Sequence, residues 1–84
     1  MKLVLIEWLD SHAGNGWHRL EDIEKNGETA RCRSVGWLLS ESGGRKVIVP
    51  HISGEKNKGT IPCGSGDLSI PDRAIVKMRV LQRH

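Results

Sequence analysis

The chain has 84 residues, 37% of them hydrophobic and 27% charged, with 13 Lys and Arg against 10 Asp and Glu for a formal net charge of +3. That length admits one compact domain over residues 1–84, because two separate cores would each fall below the usual floor of about 50 residues. The longest uninterrupted apolar stretch, residues 3–6, is too short for a membrane-spanning helix or the apolar core of a secretory signal, so a soluble, cytoplasmic protein is expected.

A domain this small buries only about 60 to 65% of the surface its unfolded chain exposes, which makes self-association a natural supplement to its stability. Two cysteines, Cys32 and Cys63, are fewer than a small secreted scaffold carries, and both are read as reduced thiols. Charge is unevenly distributed. Residues 1–42 hold seven acids against five bases, a balance of −2, and residues 43–84 hold three acids against eight bases, a balance of +5. Such a split suits a nucleic-acid or anion face, head-to-tail assembly of opposite halves, or ordinary solvation.

Residues 2–10 place Val4, Ile6 and Trp8 on one face and Leu3, Leu5 and Leu9 on the other, the mark of a largely buried strand. Residues 11–17 (SHAGNGW) keep no apolar period and read as a long loop in which Gly14, Asn15 and Gly16 tolerate positive φ. Residues 20–25 (LEDIEK) have helical spacing between Leu20 and Ile23 or Glu24, but Asn26-Gly27 stops them after barely one turn, so they read as loop with room for a helical turn. Residues 29–40 (TARCRSVGWLLS) alternate Ala30, Cys32 and Ser34 against Arg31 and Arg33 and then turn apolar on both faces, with Gly36 marking a bulge or bend.

Residues 41–44 (ESGG) connect this strand to a hairpin partner at 45–52 (RKVIVPHI), where Pro50 signals an edge or bulge. A polar loop at 53–59 leads to a strand or strand pair at 60–70, interrupted by Gly64-Ser65-Gly66, and then to a short turn at 70–73. The last strand, 74–81, is expected to face Val76, Met78 and Val80 inward and Lys77 and Arg79 outward. Five to six short strands without a covering helix must remove both unpaired edges and an uncovered face, which points to an all-β fold and a small, partly open barrel. The order of parts resembles the SH3-like barrel, with a single 3₁₀ turn before the last strand. An OB-like barrel wants a real helix between its third and fourth strands, and residues 53–59 are a poor source of one.

Taken together, Trp8-x-Asp10-Ser11, Gly16-Trp17, Arg33-Ser34-Val35-Gly36-Trp37-Leu38, Val49-Pro50-His51 and Ile70-Pro71-x-x-Ala74-Ile75 resemble a pattern in short uncharacterised proteins of tailed bacteriophages and prophages, over nearly the whole chain. The resemblance implies a phage-encoded accessory protein of the host cytoplasm that is not a virion building block, and it implies no reaction. The charged segments 25–28 and 55–59 carry no recognisable part of the pattern.

Metal and thiol chemistry find little footing. Cys32, His51 and Cys63 stand singly in separate strands without the short paired spacings of a zinc site, and solitary thiols usually act as small hydrophobes. Neither cysteine has a positioned base and orienting group in the sequence, so no catalytic residue, metal or cofactor is assigned. Gly14-x-Gly16 and Gly64-x-Gly66 lead into no helix or lysine that would hold a phosphate, and they read as turns.

The first loop is more informative, for it gathers Trp8, Asp10, Ser11, His12, Trp17 and His18 around one connection. An aromatic wall beside hydrogen-bonding groups is what peptide, nucleotide or single-strand recognition uses. In a chain without Phe or Tyr, tryptophan must also serve as core. Trp37 and Trp8 are therefore assigned to the core and Trp17 to an exposed contact, bordered by Asp10, Ser11 and His12. His51, after Pro50, is placed to approach Asp10 or Ser11, with a satisfied structural histidine as the plainer reading. Arg31 with Arg33, and Lys77 with Arg79, each share one face of a strand and would form a cationic stripe if the two strands share an outer face.

The expected function is a non-catalytic binding module recognising a host or phage protein, or itself as a homo-oligomer, through the Trp17 region. The alternative is a nucleic-acid or nucleotide-binding barrel using Arg31, Arg33, Lys77 and Arg79, with Trp17 as stacking platform. A metal-assisted or thiol enzyme is the third class.

Overall fold

The computed structural model describes residues 1–11, 16–27 and 29–83. In chain order these form β1 (Lys2–Asp10), α1 (Leu20–Asn26), β2 (Ala30–Ser40), β3 (Arg45–Val49), β4 (His51–Ser53), β5 (Cys63–Ser65), β6 (Leu68–Pro71) and β7 (Ile75–Arg83), with 3₁₀ turns at Lys56–Lys58 and Asp72–Ala74. The fold is all-β. A five-stranded antiparallel sheet has the order β6-β3-β2-β1-β7, and β4 and β5 form a separate two-stranded arm. The end strands β6 and β7 are not paired with each other, so the sheet stays open instead of closing into a barrel. No helix among the described residues is long and apolar enough to cross a membrane.

Period-2 alternation decides which face is core. Val4, Ile6, Leu38, Ile48 and Ile70 are buried, and Trp8, Leu68, Ala74, Ile75, Met78 and Val80 pack against them. All five strands of the sheet therefore meet over one small core. Between β1 and its neighbours the inward rows are Val80–Val4–Gly36, Met78–Ile6–Ser34 and Ile75–Trp8–Cys32. Trp8 belongs to this face as expected, and its Nε1–H donates to Ser34 Oγ at 3.0 Å, giving the indole a polar partner inside the packed layer.

Gly36 is where β2 comes closest to β3. A Cβ there would lie 3.1 Å from Ile48 Cβ and 3.2 Å from Val49 N, so only glycine lets the two strands approach this far. The Asp72–Ala74 turn is tied to β3 by Lys46 Nζ reaching Asp72 Oδ1 at 3.1 Å, and to the turn before β3 by Asp72 N–H donating to Gly44 O at 3.0 Å.

Several expectations need correction. The 20–25 segment forms a true helix of 7 residues. In β7 it is Ile75, not Val76, that faces inward, because the register with β1 passes from Lys77 to Ile75 and leaves Val76 bulged and exposed. Trp37 lies on the outer face, half-buried, opposite Leu3 and Val49. Cys63 is exposed rather than a buried hydrophobe, while Cys32 is intermediate, and both are free.

The molecule measures 59 × 25 × 21 Å. Its radius of gyration, 17.1 Å, far exceeds the roughly 12 Å of a compact domain of this length. The longest strand, β2 with 11 residues, spans only about 36 Å. The rest comes from chain that leaves the sheet: the α1 segment between β1 and β2, and the β4–β5 arm between β3 and β6, all of whose residues are exposed.

Candidate functional site

The first connection begins where β1 ends. The Asp10 carboxylate accepts the Ser11 N–H at 2.9 Å, a local turn-forming bond. His12 lies outside the described residues. Trp17 is fully exposed, at 102% of its reference area, and Leu20 and Ile23 follow at 83% and 50%. The helix starts from Arg19, whose carbonyl accepts the N–H groups of Asp22 and Ile23 at 3.0 and 3.1 Å, and Arg19 Nε pairs with Asp22 Oδ2 at 3.3 Å.

At about 100° per residue, Leu20 and Ile23 lie about 60° apart on one side of α1. Glu24 flanks that side at about 70°, Glu21 and Asp22 stand about 130° away on either hand, and Lys25 points nearly opposite. The segment is thus an apolar ridge with Glu24 at its edge and Glu21, Asp22 and Lys25 turned to the far side. Sequence reasoning did not single out the exposure of Leu20 and Ile23; the available signal was their spacing of three from one another and from Trp17.

The second feature is the outer face of β7-β1-β2. Its rows are Arg79–Leu5–Val35 and Lys77–Glu7–Arg33, followed by Leu9–Arg31. Arg31, Arg33, Lys77 and Arg79 therefore share one face, on two strands that flank β1 and stand about 10 Å apart. The face is not uniformly cationic. Leu5 and exposed Val35 and Leu9 run through its middle, and Glu7 Oε1 meets Arg33 Nε at 3.8 Å. With Arg33 73% exposed, that ion pair contributes little to stability. A shallow cavity of about 70 Å³ is lined by Leu5, Glu7, Lys77 and Arg79.

The third feature is the β4–β5 arm. Pairing of His51 with Ser65 and of Ser53 with Cys63 puts those four side chains on one face. They border an open hollow of about 330 Å³ together with Ile52 and Gly64. His51 is therefore on the arm, and among the described residues it forms no hydrogen bond with Asp10 or Ser11. Cys63 Sγ faces the Ile61 carbonyl at 3.5 Å. The arm is anchored by Gly64, whose missing side chain lets Val49 pack beneath it: a Cβ there would sit 2.8 Å from Val49 Cγ1. Among the described residues no three His, Cys, Asp or Glu side chains are grouped to hold a metal ion.

No protein-family model matches the chain, and neither a curated protein nor a solved structure matches it.

Proposed function

We propose that this chain is a non-catalytic interaction module, a phage-encoded accessory protein of the host cytoplasm that recognises a host protein or a second copy of itself through the segment carrying Trp17. The observation that carries the reading is the joint exposure of Trp17, Leu20 and Ile23 on a segment that supplies no residue to the core. Large apolar side chains that do no internal packing are what a partner surface is made of, and tryptophan dominates binding hot spots. Asp10 and Ser11 stand at the end of β1, where the chain leaves the sheet toward this segment. The scaffold is an SH3-like barrel left half-open. Support for that reading comes from the strand order β7-β1-β2-β3-β6, the close approach at Gly36 and the 3₁₀ turn directly before the last strand.

The test is capture of partner proteins from host extract by the immobilised chain and by Trp17→Ala. Loss of the captured set with an unaltered melting temperature is expected, since an exposed side chain contributes within about 0.5 kcal/mol to stability. The same set retained by both proteins would refute the reading.

One observation favours a second reading, nucleic-acid or nucleotide binding: the placement of Arg31, Arg33, Lys77 and Arg79 on one face. It ranks second because Glu7, Leu5 and Val35 interrupt the stripe that a phosphate backbone would follow. Retention of nucleic acid that falls steeply between 50 and 200 mM salt would promote it.

A further inference from the structure

The apolar ridge beside Glu24 and the cation-flanked sheet face have complementary shapes and charges, and large apolar side chains on both are exposed among the described residues. We propose that the outer face of β7-β1-β2 receives the Trp17–α1 segment of a second copy, so that the protein assembles head to tail. This rests on the reading of the Trp17 segment as the contact and names its partner as the same chain.

The fit has three parts. The cations stand on the two strands either side of β1, about 10 Å apart, which is the width of an α-helix with its side chains. A helix laid along β1 would set Leu20 and Ile23, about 5 Å apart along its axis, over the adjoining pair Leu5 and Val35, apolar against apolar, with Arg79 and Lys77 on one side and Arg33 and Arg31 on the other. Glu24, the one acid beside the ridge, then meets the cations on its side of β1. Lys25 points away, so the one base in the last turn does not oppose docking. Four bases against the single acid Glu7 leave the receiving face positive, opposite in sign to a segment with acids at 21, 22 and 24 against bases at 19 and 25, of which Arg19 is paired with Asp22.

The contact joins two different surfaces of the same chain. It therefore propagates, into a ring if the rotation closes and into an open filament if it does not. Each added copy covers apolar surface on both partners, which suits a domain whose own core is small.

Sedimentation equilibrium over a concentration series, read at 280 and 260 nm, tests the proposal with three proteins: wild type, Trp17→Ala and the double variant Lys77→Glu/Arg79→Glu. All the substituted side chains are exposed, and melting curves establish that each variant is folded. Wild type is expected to grow in mass with concentration and to dissociate as salt rises. Trp17→Ala is expected to weaken the association about 30-fold, the effect of losing a hot-spot tryptophan. The double variant is expected to be monomeric.

An equimolar mixture of the two variants is expected to stop at a dimer, because the intact ridge of one fits the intact face of the other and nothing further can add. Adding Glu24→Lys to the double variant is expected to restore growth by exchanging the charges. A wild type that stays monomeric throughout would overturn the proposal, and Trp17-dependent capture of a different protein would then leave the functional reading standing. Variants that fail to complement each other when mixed would mark a symmetric interface and overturn it as well. Excess absorbance at 260 nm that both high salt and Lys77→Glu/Arg79→Glu remove would assign the face to nucleic acid instead.

Discussion

Gly36→Ala tests how closely β3 lies against β2. Glycine is not demanded there by the backbone, since Gly36 is absent from the positive-φ positions and alanine fits a strand conformation. Space is the constraint. The new methyl would stand 3.1 Å from Ile48 Cβ, 3.2 Å from Val49 N and 3.3 Å from Val49 C, against an ordinary carbon–carbon contact of about 3.5 to 4.0 Å. Two of the three neighbours are backbone atoms, so relief means moving β3 by several tenths of an ångström over a core that includes buried Ile48.

Overpacking of this kind costs about 1 to 3 kcal/mol, and the reduced entropy of the unfolded chain returns about 0.4 to 1. The net loss is about 1 to 2 kcal/mol, a fall in melting temperature of roughly 5 to 15 °C for a domain of this size. Thermal unfolding followed by circular dichroism, with urea titration beside it, measures the change. Gly44→Ala is the internal comparison: φ there is +73° and nothing lies within 4 Å of the added carbon, so its cost of about 1 to 2 kcal/mol is conformational alone. A Gly36→Ala protein as stable as wild type would mean that β3 does not lie against Gly36, and the close approach of the two strands there would be wrong.

Two other perturbations read the core and the arm. Trp8→Phe removes the indole donor to Ser34 Oγ and should lower stability by about 1 kcal/mol. In the Ser34→Ala background the same change should cost measurably less, and equal costs would deny the hydrogen bond. Titration of the native protein with a chromogenic disulfide should show one fast thiol, exposed Cys63, and one slower thiol, half-buried Cys32. Equal rates would place the two side chains in similar surroundings.

Strands whose periodicity is uninterrupted were legible from sequence. β1, the first half of β2 and β7 were found near their observed ends, because residues in alternation bury one face and expose the other. That same alternation placed Arg31 with Arg33 and Lys77 with Arg79, and only the strand order was needed to learn that β1 lies between the pairs. Trp37 was misassigned because the run Trp37-Leu38-Leu39 hides the period. Strict alternation from Gly36 turns Trp37 out and Leu38 in, as observed.

Val76 could not be placed from its own strand, because the bulge is a property of pairing with Glu7 and Trp8 in β1. The helix was under-read for a physical reason too: its 7 residues are near the lower limit for helix formation, and its apolar side packs on no part of the sheet core.

Arg79 also bears on how copies of the chain can meet. β7, of 9 residues, ends the sheet order among the described strands, and an end strand is the usual template for adding another. An antiparallel β7–β7 contact centred on Arg79 would set that guanidinium beside its own copy, and like charges directly opposite each other are destabilising. The bulges at Val76 and Leu81 break the regular spacing of the edge at both ends of the strand. Edge-to-edge assembly is therefore opposed by Arg79, one of the two β7 cations on the adjoining face. Arg79 thus acts both against the competing contact and for the proposed one.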